Sequence, residues 1–322
     1  MADKINIEHP EVIEIEPTGG SNRYKLPYGL AKGLGLNTDG MTPREVWDML
    51  KKHGVNPDNE YDKLKEKATT QLNKKTEQVI NAEEKLVTDK ESAKEALTKI
   101  VGFNSVTGID KMDEKLSVAN VKQLIALEDA FGIVAKSQGA IIVEKRPPDE
   151  QASVDYFVSE PTKQTLNVSE EEYNSYEKHI EKIIKERDNG YACDFTDENA
   201  DKYIFTHEYG HMIKNYLLEQ AYLANGWDKS EPNKFFNISG RTKEQIAKWY
   251  YNIAKKTLIT AKKEIVEIAK TKYGGTVSYI SRYGKENESE WFAEVFANSR
   301  LGRPTALGKA MTDWLKNKGV LK

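Results

Sequence analysis

Between Thr42 and Gly54 the apolar residues Val46, Trp47 and Leu50 fall three and four apart, the spacing of a helix with one buried stripe. Its ends are signalled as well: Thr42 stands as N-cap before Pro43, Glu45 completes a capping box, and Gly54 follows as a stop. With the glycine-rich stretch KLPYGLAKGLGL ahead of it, this predicts a small helical docking module over 1–58. The pattern then changes. From Asn59 to Ile100 there is no Gly or Pro, Lys and Glu dominate, and Leu72, Val79, Leu86, Ala93 and Ile100 recur every seven residues. Lys75 and Asp89 interrupt the second seam that a coiled coil requires, so the prediction for 59–105 is a long amphipathic, solvated helical spacer.

Beyond residue 106 helical and β patterns mix. SVANVKQLIALEDAFG predicts a helix from a Ser117 cap to Gly132, and GAIIVEK and KQTLNVS carry the β-branched signal of short strands. SEEEYNSYEKHIEKIIKERDNG reads as a capping-box helix from Ser169, with Glu172, to Gly190. A long helix is expected from Thr242 to Tyr273, ended by Gly274 and Gly275, with shorter ones at 287–300 and 305–318. The fold class expected is helix-rich α+β, with one domain over 106–322 that holds a small mixed sheet.

Composition narrows the function. Charged residues make up 31% of the 322 and hydrophobic ones 38%, with a net charge of −3 and both signs interspersed, so no basic field is available for nucleic acid. No N-terminal secretion pattern and no run of 18 apolar residues occurs, so neither a classical signal nor a membrane span is expected. Cys193 is the only cysteine, which excludes an internal disulfide and a cysteine-rich metal site and fits synthesis in a reducing compartment.

Histidine is scarce, yet two of the five lie in FTHEYGHMIKN, four positions apart with a glutamate after the first. On a helix, side chains at i and i+4 stand one above the other, so His207 and His211 can share one metal ion. In the HExxH arrangement two neutral imidazoles bind Zn2+, and the glutamate, here Glu208, acts as general base for amide hydrolysis. Ile204, Phe205, Tyr209, Ile213, Tyr216 and Leu217 spread apolar surface around the same helix, which predicts burial and therefore partners for the polar trio.

A catalytic zinc site usually takes three protein ligands. His9, His53 and His179 have no local pattern that recommends them. In YGKENESEWFAEVFANS, with Asn287 as N-cap, Glu290, Glu294 and Asn298 form one stripe among Trp291, Phe292, Val295 and Phe296. Carboxylates in an apolar wall need a cation. Glu290 is the candidate third ligand and Glu294 the carboxylate that receives a ligating histidine's N–H, although sequence alone leaves the two roles exchangeable.

HEYGH followed by YGKENESEWFAEVFA resembles the gluzincin class of zinc metallopeptidases, most closely the family that includes the catalytic domain of anthrax lethal factor. In that family a tyrosine precedes the glutamate ligand by seven residues, and the ligand opens an E-aromatic-aromatic-A-E helix, which Tyr283, Glu290, Trp291, Phe292, Ala293 and Glu294 match. The resemblance, over about 140–300, implies a zincin-like fold, zinc as cofactor, a protein or peptide substrate, and Tyr283 as hydrogen-bond donor to the oxyanion of the tetrahedral intermediate. A departure is the long insertion between His211 and Glu290, whose helix at 242–273 is placed to cover or shape the cleft.

The flanks, YKLPYGLAKGLGLNTDGMTPREVWDML and FANSRLGRPTALGKAMTDWLKNKG, resemble segments of bacteriophage minor head and other capsid-associated proteins. That second resemblance implies a virion-associated or host-cytoplasmic protein with portal, capsid or neck proteins as partners. Its non-enzymatic alternative is a phage head or neck structural protein that retains a zincin fold without catalysis.

Overall fold

The capping box read at Thr42 forms: the Thr42 side chain accepts from the Glu45 N–H, and Glu45 Oε2 takes the Thr42 N–H at 2.7 Å, starting helix α1 (Pro43–Lys52). Val46 and Leu50 are buried with Leu30 and Ala31, whereas Trp47 stays half-buried. A computed structural model describes residues 30–31, 34–56, 59, 63, 83–136, 139–148, 150–230, 240 and 242–322. Helix α1 belongs to the first of two compact units, 1–81 and 82–322.

Residues 60–62 and 64–82 of the expected spacer lie outside the described residues. Its later part differs from expectation, because the larger unit begins at Ala82 and not at 106. Helix α2 (Lys90–Ala96) is capped by Asp89, which forms a capping box with Ser92, and it runs on as one π-helical turn to Val101 before Gly102 stops it at φ 93°. Ala93, Ala96, Leu97 and Val101 are buried there, while Leu86 is 65% exposed. Of the repeat's members, Leu72 and Val79 lie outside the described residues, Leu86 is exposed, Ile100 is half-buried and only Ala93 is buried, so the buried stripe is carried largely by residues between them, and Asp89 is a cap, not a break.

The sheet has the order β1-β2-β4-β3, from β1 (Ser105–Thr107), β2 (Ala140–Glu144), β3 (Ala152–Phe157) and β4 (Glu160–Ser169). The first three in that order are parallel and β3 is antiparallel to β4, which makes the sheet mixed. β2 and β4 match the two predicted strands; β1 is too short to leave a pattern, and β3 alternates only in part. β4 buries Thr162, Gln164, Leu166 and Val168 along one face; on the other Lys163 is exposed and Thr165 half-buried, while Asn167 is buried and donates to Asp155 at 2.8 Å.

Helix α3 (Glu114–Phe131) separates β1 from β2, and its cap is Asp113, not Ser117. Ser117 falls in the first turn and donates its hydroxyl to the Asp113 carbonyl at 2.9 Å. After β4, Ser169 caps only a single turn, α4 (Glu170–Tyr173); the chain is extended at Ser175 and restarts as α5 (Tyr176–Asp188), so the helix expected through Gly190 is two. Helix α6 (Tyr203–Ala224) crosses the sheet and is buried around nearly its whole first half.

Helix α7 (Lys243–Tyr273) has the predicted bounds, with Thr242 and Gln245 in a capping box and Gly274 at φ 65°. It packs mainly against α9 (Ala306–Asn317), where Trp314 Nε1 donates to Glu264 at 2.6 Å and Lys272 meets Asp313 at 2.7 Å. Helix α8 (Glu288–Arg300) lies between α6 and α9. None of the described helices is long and apolar enough to cross a membrane.

Candidate metal centre

Two helices converge because glycine lets them. A Cβ built on Gly210, in the middle of HEYGH, would stand 3.0 Å from the Ala293 Cα and 3.1 to 3.2 Å from Phe296 atoms, so only glycine allows α6 this close to α8. The roll of α6 is held on its far side. Tyr209 Oη donates to the buried Glu128 carboxylate of α3 at 2.8 Å, and Thr206 takes a hydrogen bond from Gln123 at 3.1 Å. With that roll, His207 and His211 face α8. The start of α8 is fixed by Asn287, whose side chain accepts from the N–H groups of Ser289 at 2.9 Å and Glu290 at 3.0 Å.

The Nε2 atoms of His207 and His211 are 3.2 Å apart, and Glu290 Oε2 is 3.2 Å from each. Three donors bound to one ion at about 2.0 to 2.2 Å in tetrahedral geometry are separated by about 3.3 to 3.6 Å, so the triangle fits a single divalent metal with little adjustment. His207, Glu208 and His211 are a buried group able to hold a metal ion, with ligand atoms within 4.8 Å of one another. Of the two carboxylates, Glu290 is the better third ligand, because one of its oxygens is equidistant from both rings.

Glu294 is fully buried and takes the other side of His207: its Oε1 lies 2.8 Å from Nδ1 and also accepts from Tyr203 Oη. That contact fixes the tautomer in which His207 Nε2 points at Glu290. On the other ring, His211 Nδ1 is 3.2 Å from Ser289 Oγ, and Ser289 Oγ is 3.0 Å from the buried Lys214 Nζ.

The buried charges at the site act strongly on one another. Burial by itself would lower the proton affinity of His207, but the carboxylates of Glu290 and Glu294 raise its pKa to about 10. Burial would raise Glu290, but its hydrogen bonds to both imidazoles hold it well below the usual carboxylate range. Burial lowers His211 to about 4 and Lys214 to about 8, and raises Glu208 to about 7. Among the described residues Glu208 Oε2 is buried without a hydrogen-bond partner.

A cleft of about 660 Å³ opens on His207, Glu208 and Tyr283, with Tyr191, Arg282 and Glu186 farther out. No described residue of α7 lines it, whereas Arg282 and Tyr283, near the end of the same insertion, do. Tyr283 is set by its N–H bond to the Tyr191 carbonyl at 3.0 Å, and its ring stacks on His207 and Tyr191 with centroids at 5.6 and 5.3 Å. Burial, followed by the charges of Glu290 and Glu208, raises its phenol pKa and keeps the O–H protonated.

All six residues singled out from sequence, His207, Glu208, His211, Tyr283, Glu290 and Glu294, therefore meet around one point. Gly210, Tyr203, Ser289 and Lys214 were not foreseen. Gly210 left a signal, a glycine inside a helical pattern, and Tyr203 stands one turn before His207 on the same face. Ser289 and Lys214 left none. No family model, curated protein or solved structure matches the chain.

Proposed function

We propose that the chain is a zinc-dependent peptidase of the gluzincin kind. The observation that carries this reading is Glu290 Oε2 at 3.2 Å from both histidine Nε2 atoms, with Glu208 beside them and an open cleft in front. Two imidazoles and one carboxylate are a donor set that suits zinc and leaves a fourth position open. When bound, zinc supplies a Lewis acid that polarises a carbonyl and acidifies water.

The protein groups divide the remaining work. Glu208 takes a proton from the attacking water as its oxygen bonds to the scissile carbonyl carbon, and it hands that proton to the amide nitrogen as the C–N bond breaks. Its raised pKa suits both halves of this exchange. Tyr283 directs its O–H to the carbonyl oxygen as negative charge develops there. Glu294 keeps the His207 lone pair on Nε2. The substrate is a peptide segment extended enough to enter the cleft.

A place in a phage particle, with portal, capsid or neck proteins as partners, rests on the resemblance of the two flanking segments, of which the N-terminal one falls in the unit 1–81 and the C-terminal one in the larger unit. The deciding experiment incubates wild type and Glu208→Gln with assembly partners and host lysate and reads new protein termini by mass spectrometry. Wild type should generate new termini and Glu208→Gln none, while both bind about one zinc per chain. Cleavage by Glu208→Gln at the parental rate would remove Glu208 from the mechanism. Zinc-free wild-type protein would leave the non-catalytic virion protein as the surviving account.

A further inference from the structure

Glu294 gives His207 an anionic partner, but among the described residues no carboxylate meets the outer nitrogen of His211. What stands there is Ser289 Oγ at 3.2 Å, and behind it Lys214 Nζ at 3.0 Å. Lys214 is an unusual neighbour for a cation site. It is only 6% exposed, it lies one turn beyond His211 on the same helix, and its ammonium sits over the Tyr156 ring of β3 at 5.1 Å. Among the described residues its ammonium donates to Ser289 Oγ.

We propose that Ser289 is the positioning residue of His211, and that Lys214 acts through it as a clamp; the inference rests on the zinc reading. An imidazole that binds a metal through Nε2 carries its proton on Nδ1 and needs an acceptor there. Lys214 offers three donors and no acceptor, so it cannot serve. Ser289 Oγ has two lone pairs: one receives Lys214, and the other is left for the His211 Nδ1–H. The ammonium bond holds the serine rotamer, because Lys214 is itself confined between β3 and the first turn of α8. The two ligating histidines are thus oriented by different chemistry, a carboxylate on one and a clamped hydroxyl on the other. His211 is the more weakly held ligand.

The test measures zinc affinity by competition with a fluorescent chelator, for wild type, Ser289→Ala, Ser289→Thr, Lys214→Met and the double variant Ser289→Ala with Lys214→Met. Protein labelled with 15N-histidine is followed in parallel for the ring N–H signals of the zinc-loaded form. Ser289→Ala should bind zinc about ten-fold more weakly or worse and lose or broaden one ring N–H signal, with the other intact. Ser289→Thr, which keeps the hydroxyl, should restore both.

Lys214→Met separates clamp from charge. A through-space effect of the ammonium on the ion is the same in either background, so it cancels in the double-mutant cycle. A clamp does not cancel: Lys214→Met should lower affinity at least three-fold more with Ser289 present than in the Ser289→Ala background. Additive effects would overturn the clamp. Unchanged affinity and both ring signals in Ser289→Ala would overturn the whole proposal while leaving the metal site standing, whereas wild type that binds no zinc would overturn the zinc reading itself.

Discussion

Gly210→Ala tests whether the approach of α6 to α8 is what assembles the proposed metal centre. Two terms of opposite sign meet at this position. Replacing an interior helical glycine by alanine favours the helix by about 1 kcal/mol. The new methyl, however, would lie 3.0 Å from the Ala293 Cα and 3.1 to 3.2 Å from Phe296. Carbon atoms prefer about 3.5 to 4.0 Å, so the helices must part by roughly 0.5 Å. Backbone Ala293 cannot swing aside, and Phe296 is fully buried against Phe131 and Tyr209. Overpacking of this sort costs about 1 to 3 kcal/mol, which leaves a net loss of about 1 kcal/mol, or a fall in Tm of about 2 to 4 °C for a unit this size. The larger consequence is chemical. A shift of α8 by that amount takes Glu290 Oε2 from 3.2 Å to about 3.7 Å from both Nε2 atoms, past the upper end of the range donors on one ion span, and displaces a ligand that must be held to within about 0.5 Å. Zinc affinity should drop at least ten-fold while the far-ultraviolet circular dichroism is unchanged. Chelator competition and thermal melts on the same preparation read both numbers. A variant that melts higher by the helical gain and binds zinc as wild type does would show that the close approach of the helices plays no part in building the site.

Three further outcomes are expected. Glu294→Gln keeps the shape but removes the negative charge from His207 Nδ1, so zinc affinity should fall by about ten- to a hundred-fold in the same competition assay, and an unchanged value would take Glu294 out of the site. Tyr283→Phe should bind zinc normally and lose about two to three orders of magnitude in kcat with little change in KM on any substrate found for the wild type; a KM effect alone would make Tyr283 a substrate contact. His179, buried against Tyr173, has its pKa lowered to about 4 by burial, while the unfolded chain protonates near 6.5. Its share of stability is therefore whole above pH 6.5 and declines as pH falls toward 4, by about 2 to 3 kcal/mol at pH 4.5. Urea unfolding of His179→Phe at pH 7.5 and 4.5 should show a correspondingly smaller loss than wild type, and equal losses would refute the assignment.

The local signals in this chain are self-sufficient where a few neighbouring residues decide the outcome. Thr42, Thr242 and Asn287 start their helices as read, because a cap needs only a side-chain oxygen and the N–H groups two or three residues on. The i, i+4 spacing likewise places His207 with His211 and Glu290 with Glu294, since helical geometry alone sets those pairs. Where two local signals compete, the reading slips: Asp113 caps α3 ahead of Ser117, and the chain breaks at Ser175 inside a run that looks continuous.

What tertiary structure decided is everything that depends on contact across distance. Burial of Ala96, Leu97 and Val101 draws the segment from Ala82 into the larger unit, which no periodicity within it could announce. Which glutamate faces both imidazoles and which takes Nδ1 was exchangeable in sequence; the roll of α6 against Glu128 and the close approach at Gly210 settle it, placing Glu290 at the Nε2 pair and Glu294 behind His207. Ser289 and Lys214 are ordinary residues until two helices 75 positions apart in sequence meet. A helix specifies which of its side chains share a face, and only packing specifies what that face meets.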